Sequence, residues 1–141
     1  GDTSFIPWSG AYVSGVSLDE YYETVEKMGR NVTKIDKDAM LEYVRTSGGQ
    51  VIANKGATFY AVSVAVCKLV ATILSSSDSV ATVSSMMHGE YGIEDVCLST
   101  LTLVGPKGVQ GKIPMRMTKE EVEKLKASAD ALKAVIAQIE H

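Results

Sequence analysis

Paired cysteines, basic clusters and long uninterrupted apolar runs are all missing from this 141-residue chain, and each absence removes a class of function. The two cysteines, Cys67 and Cys97, sit singly in apolar stretches and form no C-x-x-C pair. That argues against a metal or redox site and reads as two buried free thiols in a reducing, cytoplasmic setting. Fourteen basic side chains against seventeen acidic ones give a formal charge of -3, with lysines and arginines scattered. Nucleic acid is therefore not an expected partner. The most apolar stretch, 57–74, is interrupted by Ser63, Lys68 and Thr72 and lacks the flanks of a membrane span. It is expected to be a core helix, with no membrane partner. No signal peptide is visible. A G-x-G-x-x-G loop after a strand is also absent, and Gly105-Pro106-Lys107-Gly108 has the letters of a tight turn only.

Histidine is scarce as well. His88 falls at the end of a predicted strand and reads as a surface or turn residue, and His141 is the last residue. Composition and spacing thus stop at an α+β domain without a visible catalyst. With 45% hydrophobic residues the chain can bury one core unaided. It opens on Gly1 followed at once by strand-like residues, which reads as a fragment or processed product.

Local pattern supplies the elements. Between Ser4 and Leu18, Phe5, Ile6, Trp8, Tyr12, Val13 and Val16 are punctuated by Pro7, Gly10 and Gly15, predicting a broken strand. Asp19 to Lys27 is helix-prone and closed by Gly29. A longer helix should start near Asp36, with Met40, Val44, Val51 and Ile52 on one face and Gly56 as its C-cap. Strands are expected at Val80 to Met87, Val96 to Val104 and Val109 to Met117, with Pro114 confining the last to an edge. Thr118 followed by Glu121 makes a capping box. It opens a helix whose Val122, Leu125, Ala129, Leu132, Ile136 and Ile139 form one stripe. Long helices beside consecutive, mainly antiparallel strands give an α+β domain.

Two features are left over. Gly48 and Gly49 lie inside the second helix, where each costs about 1 kcal/mol relative to alanine. Either another helix or a ligand approaches closely there, or the helix kinks. Thr58 follows Gly56 at the start of the apolar helix, where its hydroxyl either caps the helix or faces a cavity.

Several segments in order resemble a known family. Gly1-Asp2-Thr3-Ser4, then Pro7-Trp8-Ser9-Gly10 and Val16-Ser17-Leu18, resemble the stretch G-E-H-G-D-S/T-S, P-V-W-S-G and A-G-V. Lys55-Gly56-Ala57-Thr58 is similar to K-G-A/Y-T. Gly89-Glu90-Tyr91-Gly92-Ile93-Glu94-Asp95-Val96-Cys97-Leu98-Ser99, followed by Val104-Gly105 and Gly108-Val109, matches G-x-Y-G-I-x-D-V-x-L-S with its glycine turn. Lys126-Ala127-Ser128-Ala129-Asp130-Ala131-Leu132 looks like the L-x-x-S-A-x-x-L close. Over essentially its whole length the chain resembles the C-terminal, substrate-side domain of the L-lactate dehydrogenases, in the lactate/malate dehydrogenase family. Two departures are Leu101, where many relatives carry proline, and Gly49, where a larger residue is common.

The resemblance implies an α+β substrate domain covering 1–141, with the NAD-binding Rossmann domain outside this chain. In such enzymes a hydride moves between the nicotinamide of NAD and C2 of a 2-hydroxy acid. An acid/base serves the oxygen, and arginines hold the carboxylate. The catalytic histidine would immediately precede Gly1, so no catalytic residue is expected here. Thr58, Ser47 and Gly48 are implied as substrate-pocket residues, and Val62, four positions after Thr58, as the aliphatic contact to the nicotinamide. The double glycine would then give a roomier pocket, with helix packing as the alternative. Implied partners are lactate and pyruvate, the enzyme's own N-terminal domain, and further copies in a dimer or tetramer. The alternatives are a malate dehydrogenase of the same family, against which Leu98-Ser99 tilts, and a non-catalytic oligomerisation module.

Overall fold

The structure is a computed structural model describing residues 3–139. Gly1, Asp2 and His141, which figure in the sequence reading, lie outside the described residues. In chain order the elements are β1 (Tyr12–Val13), β2 (Val16–Ser17), α1 (Leu18–Lys27), α2 (Lys37–Lys55), α3 (Tyr60–Leu74), β3 (Ser79–His88), β4 (Glu94–Gly105), β5 (Gly108–Lys112) and α4 (Lys119–Ile139). The long strands form an antiparallel sheet in the order β3-β4-β5, and β1 and β2 form a separate small hairpin. This is the expected α+β architecture.

The core forms where α4 crosses β4. Met87, Ile93, Val96, Leu98 and Ala129 are buried together, with Leu125 and Tyr91 packed against them. Burial of the Met87, Ile93, Val96 and Leu98 side chains is worth about 1.5–3 kcal/mol each. Between β3 and β4, Gly89 and Gly92 take φ of +110° and +71° and Tyr91 is left-handed at +56°, as is Asp95 at the start of β4. Glycine adopts this conformation without a Cβ penalty, whereas Tyr91 needs outside support. Its hydroxyl accepts from the Met115 N–H at 2.7 Å and donates to the Met115 carbonyl at 3.2 Å. Lys112 fastens the sheet across all three strands, donating to the Ser85 carbonyl and hydroxyl at 3.2 and 2.6 Å and to the Thr100 hydroxyl at 3.3 Å.

Helix ends follow local chemistry. Ser17 and Glu20 make a reciprocal capping box on α1. On α4 the Thr118 N–H donates to Glu121 at 2.8 Å and the Glu121 N–H to the Thr118 hydroxyl at 3.2 Å. Glu121 also receives the Ser9 N–H at 3.0 Å and the Ser9 hydroxyl at 2.5 Å. The Pro7-Trp8-Ser9-Gly10 segment is thereby tied to the base of α4.

Several expectations are corrected. The apolar stretch at 57–74 is not a core helix of this chain: no residue of α3 is buried, and only Leu69 and Thr72 are even half-buried. The stripe of α2 is equally bare, with Met40, Val44, Val51 and Ile52 between 38% and 51% exposed. Apolar patterning requires a partner for these faces, and no other described residue supplies it. Cys67 and Cys97 are free but exposed, because Cys67 rides on α3 and Cys97 points away from the core side of β4. The broken strand near the start is a 3-10 turn at Trp8–Gly10 followed by the two-residue strands β1 and β2. β5 is the edge strand expected but ends at Lys112, before Pro114 and short of Met117. The stripe of α4 packs through Leu125 and Ala129, then loses contact, leaving Leu132, Ile136 and Ile139 exposed.

Candidate substrate-pocket wall at the helix elbow

The candidate site is set by how α2 stops and α3 starts. The Asp36 carboxylate caps the front of α2, accepting from the N–H groups of Asp38 at 3.1 Å and Ala39 at 2.9 Å. At the other end Gly56, with φ of +79°, donates its N–H to the Ile52 carbonyl at 2.7 Å and turns the chain out of the helix. The next helical residue is Tyr60, and α3 bends 118° away from the direction of α2. A groove of about 410 Å³ lies inside this elbow.

One wall of the groove is the α2 stripe of Ser47, Gly48, Val51 and Lys55, and the other is the segment from Ala57 to Ala61. Ser47, Gly48 and Thr58, three of the four residues singled out from sequence, are brought together here. Ser47 is half-buried and donates its hydroxyl to the Val44 carbonyl at 2.9 Å. Thr58 does not cap α3, since the capping position is Phe59 and has no side-chain bond to the helix. Among the described residues the Thr58 hydroxyl has no hydrogen-bond partner. Val62 is on α3, 54% exposed, and does not line the groove. The i, i+4 argument for pairing it with Thr58 fails because Thr58 precedes the helix.

The double glycine does not mark a close approach among the described residues. A Cβ at either Gly48 or Gly49 would meet nothing within 4 Å, and α2 runs continuously through both. Sequence reasoning missed Val51, Phe59 and Tyr60 as groove residues. The four-residue steps from Ser47 to Val51 to Lys55 carried the signal, because such steps share a helix face. The rings of Phe59 and Tyr60 stand 4.7 Å apart, and the Lys55 ammonium lies 5.3 Å from the Tyr60 ring centre.

Other concavities offer less chemistry. A larger one of about 620 Å³ between α3 and β3 has apolar walls and Lys68 as its one charged residue. Beside His88, a groove of about 420 Å³ contains Glu90 and Lys112. There the Lys112 ammonium is engaged by Ser85 and Thr100. The Glu90 carboxyl is held below its ordinary value chiefly by the His88 N–H, which it accepts at 2.7 Å, and by its own N–H. No group of metal-ligating side chains occurs among the described residues. Nor is any single described helix long and apolar enough to cross a membrane.

The model of the lactate/malate dehydrogenase alpha/beta C-terminal domain matches residues 1–141. The chain belongs to that family. As a lactate/malate dehydrogenase C-terminal domain it is 35% identical over 140 residues to an L-lactate dehydrogenase of Acetivibrio thermocellus, spanning 99% of this chain and 43% of that protein. It is 39% identical over 140 residues to one of Thermoanaerobacterium saccharolyticum, covering 99% of this chain and 44% of the relative. Among solved structures, an L-lactate dehydrogenase from Clostridium thermocellum superposes with a TM-score of 0.82 at 33% identity, over 100% of this chain and 44% of that one. The minor L-lactate dehydrogenase of Enterococcus mundtii, in its ligand-bound form, gives 0.87 at 28% identity, over 99% and 43%. The domain therefore spans less than half the length of the relatives it matches.

Proposed function

We propose that this domain is the substrate-side half of an NAD-dependent L-lactate dehydrogenase, which interconverts lactate and pyruvate once joined to its N-terminal NAD-binding domain. The observation carrying this reading is the elbow groove, which gathers Ser47, Gly48 and Thr58 in a chain whose relatives are L-lactate dehydrogenases. A free hydroxyl at Thr58 suits a substrate carboxylate or carbonyl, because an unpaired polar group beside a closing pocket gains most from a charged partner.

NAD supplies the hydride acceptor in such a reaction. The fit of this chain to NAD is limited to one contact: Val62 offers an exposed aliphatic surface against which the nicotinamide would pack. Catalysis by the isolated domain is not expected. Positioning of the two reactants supplies roughly 7–11 kcal/mol of a barrier, and a general acid/base about 10²–10⁴-fold. Neither a dinucleotide fold nor a histidine near the groove is found among the described residues.

The bare apolar faces of α2 and α3 fit the same reading. Val44, Ile52, Val64 and Val66 are each more than half exposed, more apolar surface than a lone domain ordinarily leaves on two helices. They would be covered by the NAD-binding domain and by a second copy in a homo-oligomer. Two free thiols accord with a cytoplasmic location.

The test is to express the reading frame that contains this domain together with its upstream sequence and follow NADH absorbance with pyruvate. Saturable, pyruvate-dependent oxidation is the expected result, and the 141-residue domain alone should give none. Turnover of oxaloacetate without turnover of pyruvate would reject the lactate assignment in favour of a malate dehydrogenase.

A further inference from the structure

Helix α2 carries one wall of the groove, yet none of its residues is buried. Polar contacts therefore fix its direction. Just before the helix the hydroxyl of Tyr22 on α1 accepts the Ile35 N–H at 3.0 Å. At its first residue the Lys37 ammonium stands 5.6 Å from the Trp8 ring centre and 3.8 Å from the Asp19 carboxylate. Both contacts hold the front end. About two turns further on, the Arg45 guanidinium donates to the Ser4 carbonyl at 2.6 Å. We propose that Arg45 is a positioning residue: by gripping Ser4 it aims the groove half of α2 at the bound 2-oxo acid. The inference rests on the groove being the substrate-pocket wall.

What Arg45 grips is itself fastened to the core. The Thr3 hydroxyl lies 3.1 Å from the Ser128 hydroxyl on α4, and Ser9 gives its N–H and hydroxyl to Glu121 at the base of the same helix. Between them Phe5 and Pro7 border a cavity of about 130 Å³ shared with Tyr91 and Leu125, which pack on the core. The segment from Thr3 to Ser9 is thus a strap along α4, and Arg45 ties α2 to that strap through a charged donor, the stronger kind of hydrogen bond. The far end of α2 has no comparable anchor, since it turns at Gly56 into α3, which has no buried residue either.

The leverage is large. Val51 lies about four turns beyond Lys37, roughly 21 Å along the helix axis. A swing of about 4° around the front end would shift Val51, and the groove wall with it, by roughly 1.5 Å. A misplacement of about 1 Å can cost on the order of 100-fold in rate. Arg45 does not line the groove, so it acts through the helix and not by touching substrate.

The experiment uses the intact enzyme with pyruvate and NADH and compares Arg45→Ala, Arg45→Lys and Lys37→Ala with the unmodified protein. Arg45→Ala should lower kcat/KM for pyruvate by about 10- to 100-fold. The KM for NADH should not change, and the melting temperature should stay within about 2 °C, because the side chain is exposed. Arg45→Lys should recover part of the loss, since the grip on Ser4 needs a charged donor and not a bidentate fork. Lys37→Ala removes the same unit of charge but leaves the Tyr22 pin and the Arg45 grip, so its pyruvate kinetics should match the unmodified protein. Unaltered kcat/KM for pyruvate in Arg45→Ala would overturn this inference alone. Equal losses in Arg45→Ala and Lys37→Ala would overturn it by tracing the effect to positive charge. A lowered melting temperature with parallel loss of NADH binding in both Arg45 variants would overturn it by making Arg45 a folding residue. Absence of turnover with pyruvate in the unmodified enzyme would remove the underlying reading as well.

Discussion

Replacing Glu121 by glutamine probes the tie that holds the Pro7-to-Gly10 segment against α4. The residue is only 9% exposed, yet its carboxylate collects the Ser9 N–H, the Ser9 hydroxyl and the Thr118 N–H. Burial alone raises the pKa of this carboxyl, but the Ser9 hydroxyl and N–H and the Thr118 N–H and hydroxyl together outweigh it, so the net shift is downward from 4.5. Glutamine keeps the volume and one acceptor while turning an NH₂ group toward donors. A hydrogen bond to a charged group is worth about 1.5–3 kcal/mol. Since more than one is disturbed and they share one anion, the expected loss is roughly 2–4 kcal/mol, a large part of the roughly 5–15 kcal/mol that stabilises a domain. Ser9→Ala should cost about 1.5–3 kcal/mol by the same reasoning.

Urea unfolding can be followed through Trp8, the one tryptophan in the chain and the neighbour of Ser9. The pH dependence supplies an independent check. A carboxyl whose folded pKa is depressed contributes stability that is complete above 4.5 and is lost as pH falls through the lower folded value. Glutamine has no such contribution. The stability gap between the unmodified chain and Glu121→Gln should therefore be widest at neutral pH and shrink once the pH passes below 4.5. A loss smaller than about 0.5 kcal/mol, the range of ordinary surface substitutions, or a gap that does not narrow in acid would refute the reasoning.

In the intact enzyme Thr58→Val should lower kcat/KM for pyruvate by roughly 10- to 100-fold, the rate equivalent of one hydrogen bond to a charged group, with NADH affinity unchanged. Unaltered pyruvate kinetics would return Thr58 to a linker role. Tyr91→Phe should lower the melting temperature of the domain, because it strands the Met115 N–H at a cost of about 1–3 kcal/mol. An unchanged melting temperature would mean that water replaces the hydroxyl. Gly105→Ala should destabilise by no more than about 0.5–1.5 kcal/mol, since the new Cβ would push apart the ends of the exposed Asp78 and Gln110 side chains and cost their hydrogen bond. That penalty should largely vanish in an Asp78→Ala background.

Helix ends and the strand run were legible because they depend on neighbours in sequence. Asp36, Gly56 and the Thr118-to-Glu121 box act within four residues of themselves, and each appears where the pattern puts it. The Ser9 to Glu121 tie was not legible, although both residues stood out locally. It joins positions 112 residues apart, and nothing in the spacing of either motif says that they meet. Strand β5 fails in the opposite way. Its alternation runs on to Met117, but the Met115 N–H is taken by Tyr91 and Pro114 has none to give, so the last bond to β4 is from the Ile113 N–H to the Leu101 carbonyl at 2.8 Å.

The site shows the same division between pattern and partner. All-round hydrophobicity of α3 says that water is unfavourable on every side of the helix, yet it does not say which molecule excludes the water. Within this chain α3 meets β4 and little else, while Val62, Val64, Val66 and Val70 stay open. Thr58, Ser47 and Gly48 occupy the concave side of the same two helices. A groove whose walls are otherwise unsupported holds its shape only when the convex faces are packed. With the outer faces of α2 and α3 uncovered among the described residues, a substitution there should reach the groove through the angle of the elbow, since Val44, Ile52 and Val64 do not line it.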